Sequence, residues 1–241
     1  MVVAEAGDQG PALAVERLTS GQTRPDRDDP AAAAARADDS QLWLAAAVNG
    51  PVRPDSRLLA QFDVQVRYRD DASEFDVFAA RPAVGWRFGG RVDAWVGYAY
   101  VRQRRAGTDV VEHRAWEQLG YPLGEWFGGT LSGRTRLEQR SRRGASDTGW
   151  RVRQTFRYQH AWHANPHAGW VIWDEMAADL DATDWGQRSG FAQNRAFFGA
   201  YWRFAAPVKL EAGYLNQRVN GRAGAADRTN HVLSVALLMS R

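Results

Sequence analysis

The twelve residues LLAQFDVQVRYR at 58–69 alternate almost without a break. Leu58, Ala60, Phe62, Val64, Val66 and Tyr68 fall on one side, and Gln61, Asp63, Gln65, Arg67 and Arg69 on the other. Successive side chains of a strand point to opposite faces of a sheet, so this segment is a strand with one apolar and one charged face. In a soluble protein the apolar face meets a core and the arginines are wet. In an outer-membrane barrel the apolar face meets lipid and the arginines point inward.

The pattern recurs near 41–49, 57–69, 74–87, 91–103, 109–121, 126–140, 148–161, 167–178, 189–203, 208–218 and 228–240, which makes about eleven segments. None has sustained helical periodicity. Their spacing exceeds the roughly 8–12 residues of soluble sandwiches and suits strands of about 10 residues plus a loop. Short connections (RFGGRVD, GYPLGEW with its turn at 122–125, AWHANPHAG, FAAPVK) alternate with longer polar ones (RQRRAGTD, SRRGASDTG, ADLDATDWGQRSG, NGRAGAADRT). Barrels of the outer membrane have short periplasmic turns and longer outside loops, which puts the C-terminus on the periplasmic side. Trp86, Phe88, Tyr121, Trp126, Phe127, Trp162, Trp170, Trp202 and Phe204 flank the short connections, where an aromatic girdle belongs.

Composition adds exclusions. The chain of 241 residues has no Cys, which excludes a disulfide framework and a thiol nucleophile. Its apolar runs, such as WLAAAV at 43–48 and VALLM at 235–239, are far shorter than the ~20 residues a spanning helix needs. A net charge of +3 and a pI near 9.5 raise nucleic-acid binding. The basic residues, however, alternate with apolar ones through strand after strand, so no nucleic-acid partner is expected. Residues 1–38 lack strand alternation and are expected to be disordered or a degenerate targeting segment. AAAAARA at 31–37 resembles the end of a secretory signal without the charged and apolar regions that precede one. The barrel is placed at 39–241.

The charged faces define a candidate polar network lining a lumen: Asp63 and Arg67; Glu112, Arg114 and Gln118; Arg134, Arg136, Glu138 and Arg140; Arg151, Arg153 and Arg157; Gln193 and Arg195; Glu211 and Gln217. Inside a barrel such groups can satisfy one another through bidentate hydrogen bonds, and an unpaired buried charge is costly. The opposite faces send Val64, Leu131, Phe156, Phe198 and Leu233 to lipid.

The order EHRAWEQ, GRTRLEQR, WRVR, FAQNR and EAGYLNQ resembles a bacterial outer-membrane β-barrel family of unknown function, domain of unknown function 2490, over roughly residues 40–240. The resemblance implies an outer-membrane barrel and no defined activity. It puts Glu112, Arg114, Arg136, Glu138, Arg140, Arg153, Gln193, Arg195 and Gln217 at recurring polar positions. The chain departs from outer-membrane strands in ending LLMSR rather than in an aromatic.

Chemistry is thinly represented. His231 and Ser234 lie on one strand but on opposite faces, no G-x-S-x-G occurs, and the neighbours Asp174 and Glu175 also diverge. Catalysis is therefore not expected, with a lipid-acting membrane enzyme as the alternative. His160, His163 and His167 in HAWHANPH are weak metal candidates; no Cys or nearby carboxylate completes the set, and they read as wet turn histidines. Asp179, Asp181 and Asp184 in DLDATD lack the Gly and distal Glu of an EF-hand loop and read as a solvated loop. Arg102, Arg104, Arg105, Arg142 and Arg143, at the outer strand ends, either meet lipopolysaccharide phosphates or serve loop solubility. No cofactor is expected, and the chain is expected to be a monomer in a lipid bilayer.

The reading is an all-β, transmembrane, antiparallel up-and-down barrel of the bacterial outer membrane. Single-chain bacterial barrels have even strand numbers, so twelve strands are expected, or ten. Between about 8 strands, which side chains fill, and about 16, which leave a channel, such a barrel is either a narrow polar passage or purely structural. A soluble lipocalin-like binder is the second alternative.

Overall fold

Each alternating segment forms a strand, and the strands are hydrogen-bonded in chain order. The computed structural model describes residues 38–89, 91–105, 108–205, 207–221 and 226–240; the expected disordered segment lies, apart from Asp38, outside them. The strands are β1 (Asp38–Pro51), β2 (Leu58–Arg69), β3 (Glu74–Phe88), β4 (Val92–Arg105), β5 (Thr108–Trp126), β6 (Gly129–Arg142), β7 (Thr148–Trp162), β8 (Asn165–Asp179), β9 (Gly190–Ala205), β10 (Val208–Val219) and β11 (Arg228–Ser240). They form one closed barrel.

The strand number corrects the expectation of twelve or ten: the barrel has eleven. Chain-order neighbours are antiparallel, so odd-numbered strands all run the same way, and β11 must meet β1 in parallel. It does so over twelve residue pairs, from Asp38↔Thr229 to Asn49↔Ser240. Parity is therefore no obstacle to closure, because a parallel ladder also satisfies the backbone. A second correction concerns the β5–β6 turn. GYPLGEW does not turn at 122–125; β5 runs on through a register shift between Pro122 and Gly124, where a residue without an N–H can leave the ladder. The turn is Phe127–Gly128, both at positive φ (47° and 78°), the geometry that suits a two-residue hairpin.

One end of the barrel carries 52–57, 89–91, 127–128, 163–164 and 206–207; the expected alternation of short and long links holds only in part, since 52–57 is longer than 70–73, 106–107 and 143–147 at the opposite end. At the other end lie 70–73, 106–107, 143–147, 180–189 and 220–227. Asp70, Asp71 and Ala72 are three successive left-handed residues. That conformation costs non-glycine residues energy; here the Asp70 N–H donates to Asp39 Oδ1 (2.9 Å) and the Ala72 N–H to the Ser40 carbonyl (3.2 Å).

Once the ring closes, period-2 alternation sorts every strand into inward and outward residues. On β2, Gln61, Asp63, Gln65 and Arg67 line an interior cavity, while Leu58 and Phe62 are exposed on the outside. The outward set includes Leu44, Val84, Val96, Leu119, Phe156, Ile172, Phe198, Tyr214 and Leu233, all exposed. Two apolar clusters fill part of the interior. One joins Trp43, Val171, Phe197, Tyr201, Leu215 and Val232, and the other Leu59, Ala83, Trp95, Ala99 and Trp116. In the second, the Trp116 indole of β5 lies over Gly97, its partner across β4. A Cβ at Gly97 would collide with that ring, whereas at Gly120 the nearest atom would be the Asp93 carbonyl oxygen at 3.9 Å. Gly97→Val should therefore lower stability by about 1–3 kcal/mol through overpacking. Gly120→Ala should stay within about 0.5 kcal/mol of the parent. Urea midpoints of the two variants, compared with the parent, check the contrast.

Candidate functional site

The interior of β5 to β9 carries the chain's densest chemistry. On β6, positions two apart place Arg134, Arg136, Glu138, Arg140 and Arg142 along the cavity. β7 adds Arg151, Arg153, Thr155 and Arg157, β5 adds Glu112 and Arg114, and β8 adds Glu175. At the centre, Arg153 bridges two strands. Its Nε donates to Glu138 Oε1 and its Nη1 to Glu175 Oε1, both at 3.0 Å. Arg134 Nη2 donates to Glu175 Oε2 (2.8 Å) and to Thr155 Oγ1 (3.0 Å), and Arg195 Nη1 reaches Glu175 at 3.3 Å. Arg114 Nη1 lies 3.5 Å from Glu138. Arg136 gives two hydrogen bonds to Gln118 Oε1 (2.9 and 2.7 Å) and lies over the Trp116 ring, 4.0 Å from its centroid.

Towards the long loops, Glu112 accepts from Arg140 Nε (2.5 Å) and Arg114 Nε (2.9 Å), with Arg142 Nε at 3.5 Å. Arg151 pairs bidentately with Asp179 (2.6 and 3.0 Å). Elsewhere in the ring, Arg81 pairs with Asp63 (2.5 Å), and Glu211 pairs with Arg157 and with Lys209 (2.8 Å). Asn230 donates to Gln217, which donates to Gln193 (both 2.9 Å). Glu112, Glu138, Glu175 and Asp179 are all buried. Charge-assisted bonds of this kind are what make a buried carboxylate tolerable.

The residues assigned to the network from sequence lie at inward positions. The contacts join them into one ion network running through Glu112, Glu138, Glu175 and Asp179, a second cluster of Glu211 with Arg157 and Lys209, the Asp63–Arg81 pair and an amide chain. Arg67 stands apart: it lies over the Trp43 ring, 3.8 Å from the centroid. Sequence reading missed Trp43, Arg81, Thr155 and Asn230, and left Glu175 and Asp179 out of the network. Strand parity on β8 was the available signal for Glu175 and Asp179, since both fall in step with Val171, Trp173 and Ala177. It also missed the 180–189 loop as an interior element. Trp185 lies 4.2 Å from Arg142 and 5.3 Å from Arg140, ring centroid to guanidinium carbon. Gln187 is buried, accepting from Arg140 Nη1 (3.0 Å) and donating to Asp181 Oδ1 (2.6 Å).

That docking corrects the reading of DLDATD as a solvated loop. Asp181 accepts the Trp150 N–H (2.8 Å), and Asp184 accepts the N–H groups of Ser146 and Asp147 (2.9 and 3.4 Å). No sequence signal marked it, because the partners belong to β7 and the 143–147 loop. The histidines also differ from a shared turn. His160 lies among the last residues of β7 and His167 among the first residues of β8, with His163 in the connection between them. The His160 and His163 rings meet edge-on at 5.9 Å. Among the basic strand ends, Arg142 turns inward to Glu112 and Trp185 rather than outward. Arg105 lines the cavity and bonds Gln103 (3.2 Å), and Arg102 pairs with Asp109 outside (2.5 Å).

The outer face has polar exceptions, and several of them find partners, while Glu117 and Gln139 have none among the described residues. Asn194 donates to both Asp174 oxygens (3.0 and 2.8 Å). Tyr98 bonds His113, Tyr214 bonds His231 (2.7 Å), and Gln154 meets Tyr121 and Thr135. His113, Asp174, Asn194, Asn216 and His231 all lie in the half of the barrel nearest the long loops. His231 and Ser234 face opposite sides of β11, as alternation requires.

The network predicts strong coupling. Arg153→Met would leave Glu138 and Glu175 each short of a buried partner and should cost about 3–5 kcal/mol. Adding Glu138→Gln should recover part of that loss, so the double variant lies well above the sum of the singles. Denaturant unfolding of the four proteins in the cycle reads the coupling directly.

The family model described as "Protein of unknown function (DUF2490)" matches residues 40–230, from within β1 to the start of β11. An uncharacterized protein of Methylorubrum extorquens (strain AM1) is 33% identical over 207 residues, which is 83% of this chain and 87% of the relative.

Proposed function

The chain belongs to the family of proteins of unknown function DUF2490, and from that premise we propose that it is an integral β-barrel of the bacterial outer membrane with a narrow, arginine-lined passage. One observation carries the reading: the barrel is inverted relative to a soluble protein. Buried charges such as Glu138, at 3% exposure, lie inside, while outward side chains such as Val96 (56%), Leu233 (57%) and Phe198 (53%) are bare. Soluble monomers rarely expose contiguous apolar patches beyond a few hundred Å²; here apolar side chains cover the outside of strand after strand. Lipid is the solvent that such a surface fits.

Further features support the same reading. Closure leaves no unpaired backbone edge, the condition for a sheet in hydrocarbon. Trp86, Phe88, Trp126, Phe127, Trp170, Trp202 and Phe204 are exposed around the short-turn end, at the level of one membrane interface. The outer-face pairs Asp174–Asn194, Tyr98–His113 and Tyr214–His231 lie on the side of the long loops, where the outer leaflet presents lipopolysaccharide, whereas the Gln154–Thr135–Tyr121 set lies mid-barrel and toward the short turns. Arg102, Arg104 and Arg143 remain the outward basic groups that could meet its phosphates.

The reading is tested by extraction and by stability in lipid. The protein should sediment with membranes, require detergent for release, and run as a heat-modifiable band on gels. Leu233→Arg should cost about 2–4 kcal/mol in vesicles if it lies near the midplane. Release of the wild type by salt or alkali without detergent, or an unchanged Leu233→Arg variant, would refute insertion in this orientation.

The interior volume sets the second expectation. The cavity measures about 860 Å³, with long side chains occupying the rest of an eleven-stranded ring. Conductance in planar bilayers should be small and anion-preferring. It should rise and lose anion preference in Arg136→Ala, which removes a stem and a fixed charge; Gln118 loses its partner, while Glu138 loses one cation and keeps Arg114 and Arg153. General-porin conductance that is insensitive to this change would mean that the side chains do not fill the passage.

A further inference from the structure

Among the described residues, the cavity is lined by thirteen arginines and five carboxylates. The deficit shows in the bonding, because carboxylates are shared. Glu175 serves Arg134, Arg153 and Arg195; Glu138 serves Arg114, Arg136 and Arg153; Glu112 serves Arg114, Arg140 and Arg142. Asp179 and Glu211, behind the lining, are taken up by Arg140 and Arg151 and by Arg157 and Lys209.

Arg67 has no carboxylate within ion-pair distance among the described residues. Its Nε and Nη2 both donate to Gln65 Oε1 (3.2 and 2.7 Å), a neutral acceptor. The cations Arg195, Arg81 and Arg114 act on it strongly, against Asp76. Arg195 leans on the same Trp43 ring, 5.1 Å from its centroid, and its Nε is buried without an acceptor. Cations gathered in a low-dielectric interior repel one another and are stabilised by a counter-charge. Here Arg195 has only a share of Glu175, and Arg67 has only Asp76, beyond ion-pair distance.

We propose that this cavity binds a small, multiply charged oxyanion, seated on Arg67 and Arg195 beside Trp43. Guanidinium forks match phosphate and carboxylate oxygens bidentately. A volume of 860 Å³ lies within the ~300–1,000 Å³ of small-molecule sites. The inference rests on the passage reading for its meaning: it names the solute class as anionic.

The test uses the purified full chain in detergent, in low-salt buffer, with pyrophosphate and citrate as probes and titration calorimetry as the readout. At least one probe should bind saturably with one site per chain; which of them binds assigns phosphate or carboxylate as the chemistry. Arg67→Gln should weaken binding about tenfold or more, the loss of a charge-assisted bond pair. Arg53→Gln, an equal charge change in the exposed 52–57 loop, should bind as the parent does. No carboxylate depends on Arg67, so the variant should fold with an unchanged or higher unfolding midpoint without anion. The probe should raise the midpoint of the parent more than that of Arg67→Gln. Absence of saturable binding of either probe, or equal weakening by both substitutions, would overturn the site. Because binding is read on the isolated barrel, a protein that binds anions but needs no detergent keeps the site and loses the membrane reading. One that inserts but binds neither probe does the reverse.

Discussion

The parallel seam of β1 against β11 is the constraint on which the other features rest. Without it, both strands would present a row of free N–H and C=O groups, and the sheet could slip or pair elsewhere. With Leu42 opposite Leu233 and Trp43 opposite Ser234, the ring is complete and its register is fixed. A slip of one residue at any seam would exchange the faces of a whole strand. It would send arginines outward and leucines inward together, so the two surfaces define each other.

Confinement then dictates the interior chemistry. Arginines that would be scattered along a flat sheet converge on one cavity, where each must find an acceptor or a ring face. Arg153 finds two carboxylates, on β6 and β8. Arg136 finds Gln118 and Trp116, and Arg142 finds Glu112 and Trp185. Bonds between adjacent strands, such as Arg151 to Asp179, stiffen the wall. Bonds that skip a strand, such as Arg134 on β6 to Glu175 on β8, brace it across its curvature. The 180–189 loop extends the same logic: Gln187 and Trp185 enter the mouth because Arg140 and Arg142 offer donors and cation faces there.

The outer surface follows the opposite rule. Flat apolar side chains dominate, and most of its polar groups pair with each other, the exposed Glu117 of β5 being an exception among the described residues. Asp174 with Asn194 and Tyr214 with His231 place the polar heads of that surface towards the long loops. The short-turn end carries exposed indoles and phenyl rings. The two ends of the outer surface therefore differ in chemistry, aromatic at one and more polar at the other.

Much of this was legible in the residues alone. Alternation is a local property, so eleven strand segments, their inward and outward faces and part of the polar network could be read from segments such as GRTRLEQR and WRVRQTFR, while Arg81, Glu175 and Asp179 were left out of it. Closure is not local. Nothing in β1 or β11 announces that they pair in parallel, and a rule drawn from even-stranded barrels pointed to twelve. The continuation of β5 past Pro122 depended on a bulge that only its ladder with β6 reveals. Partner identity was equally out of reach: Arg153 meets Glu175 across 22 residues, and Arg140 meets Gln187 across 47. So was the isolation of Arg67, because lacking a carboxylate is a fact about everything that surrounds a side chain. Sequence determined which face of each strand is charged; the curvature of the closed ring decided which charges meet.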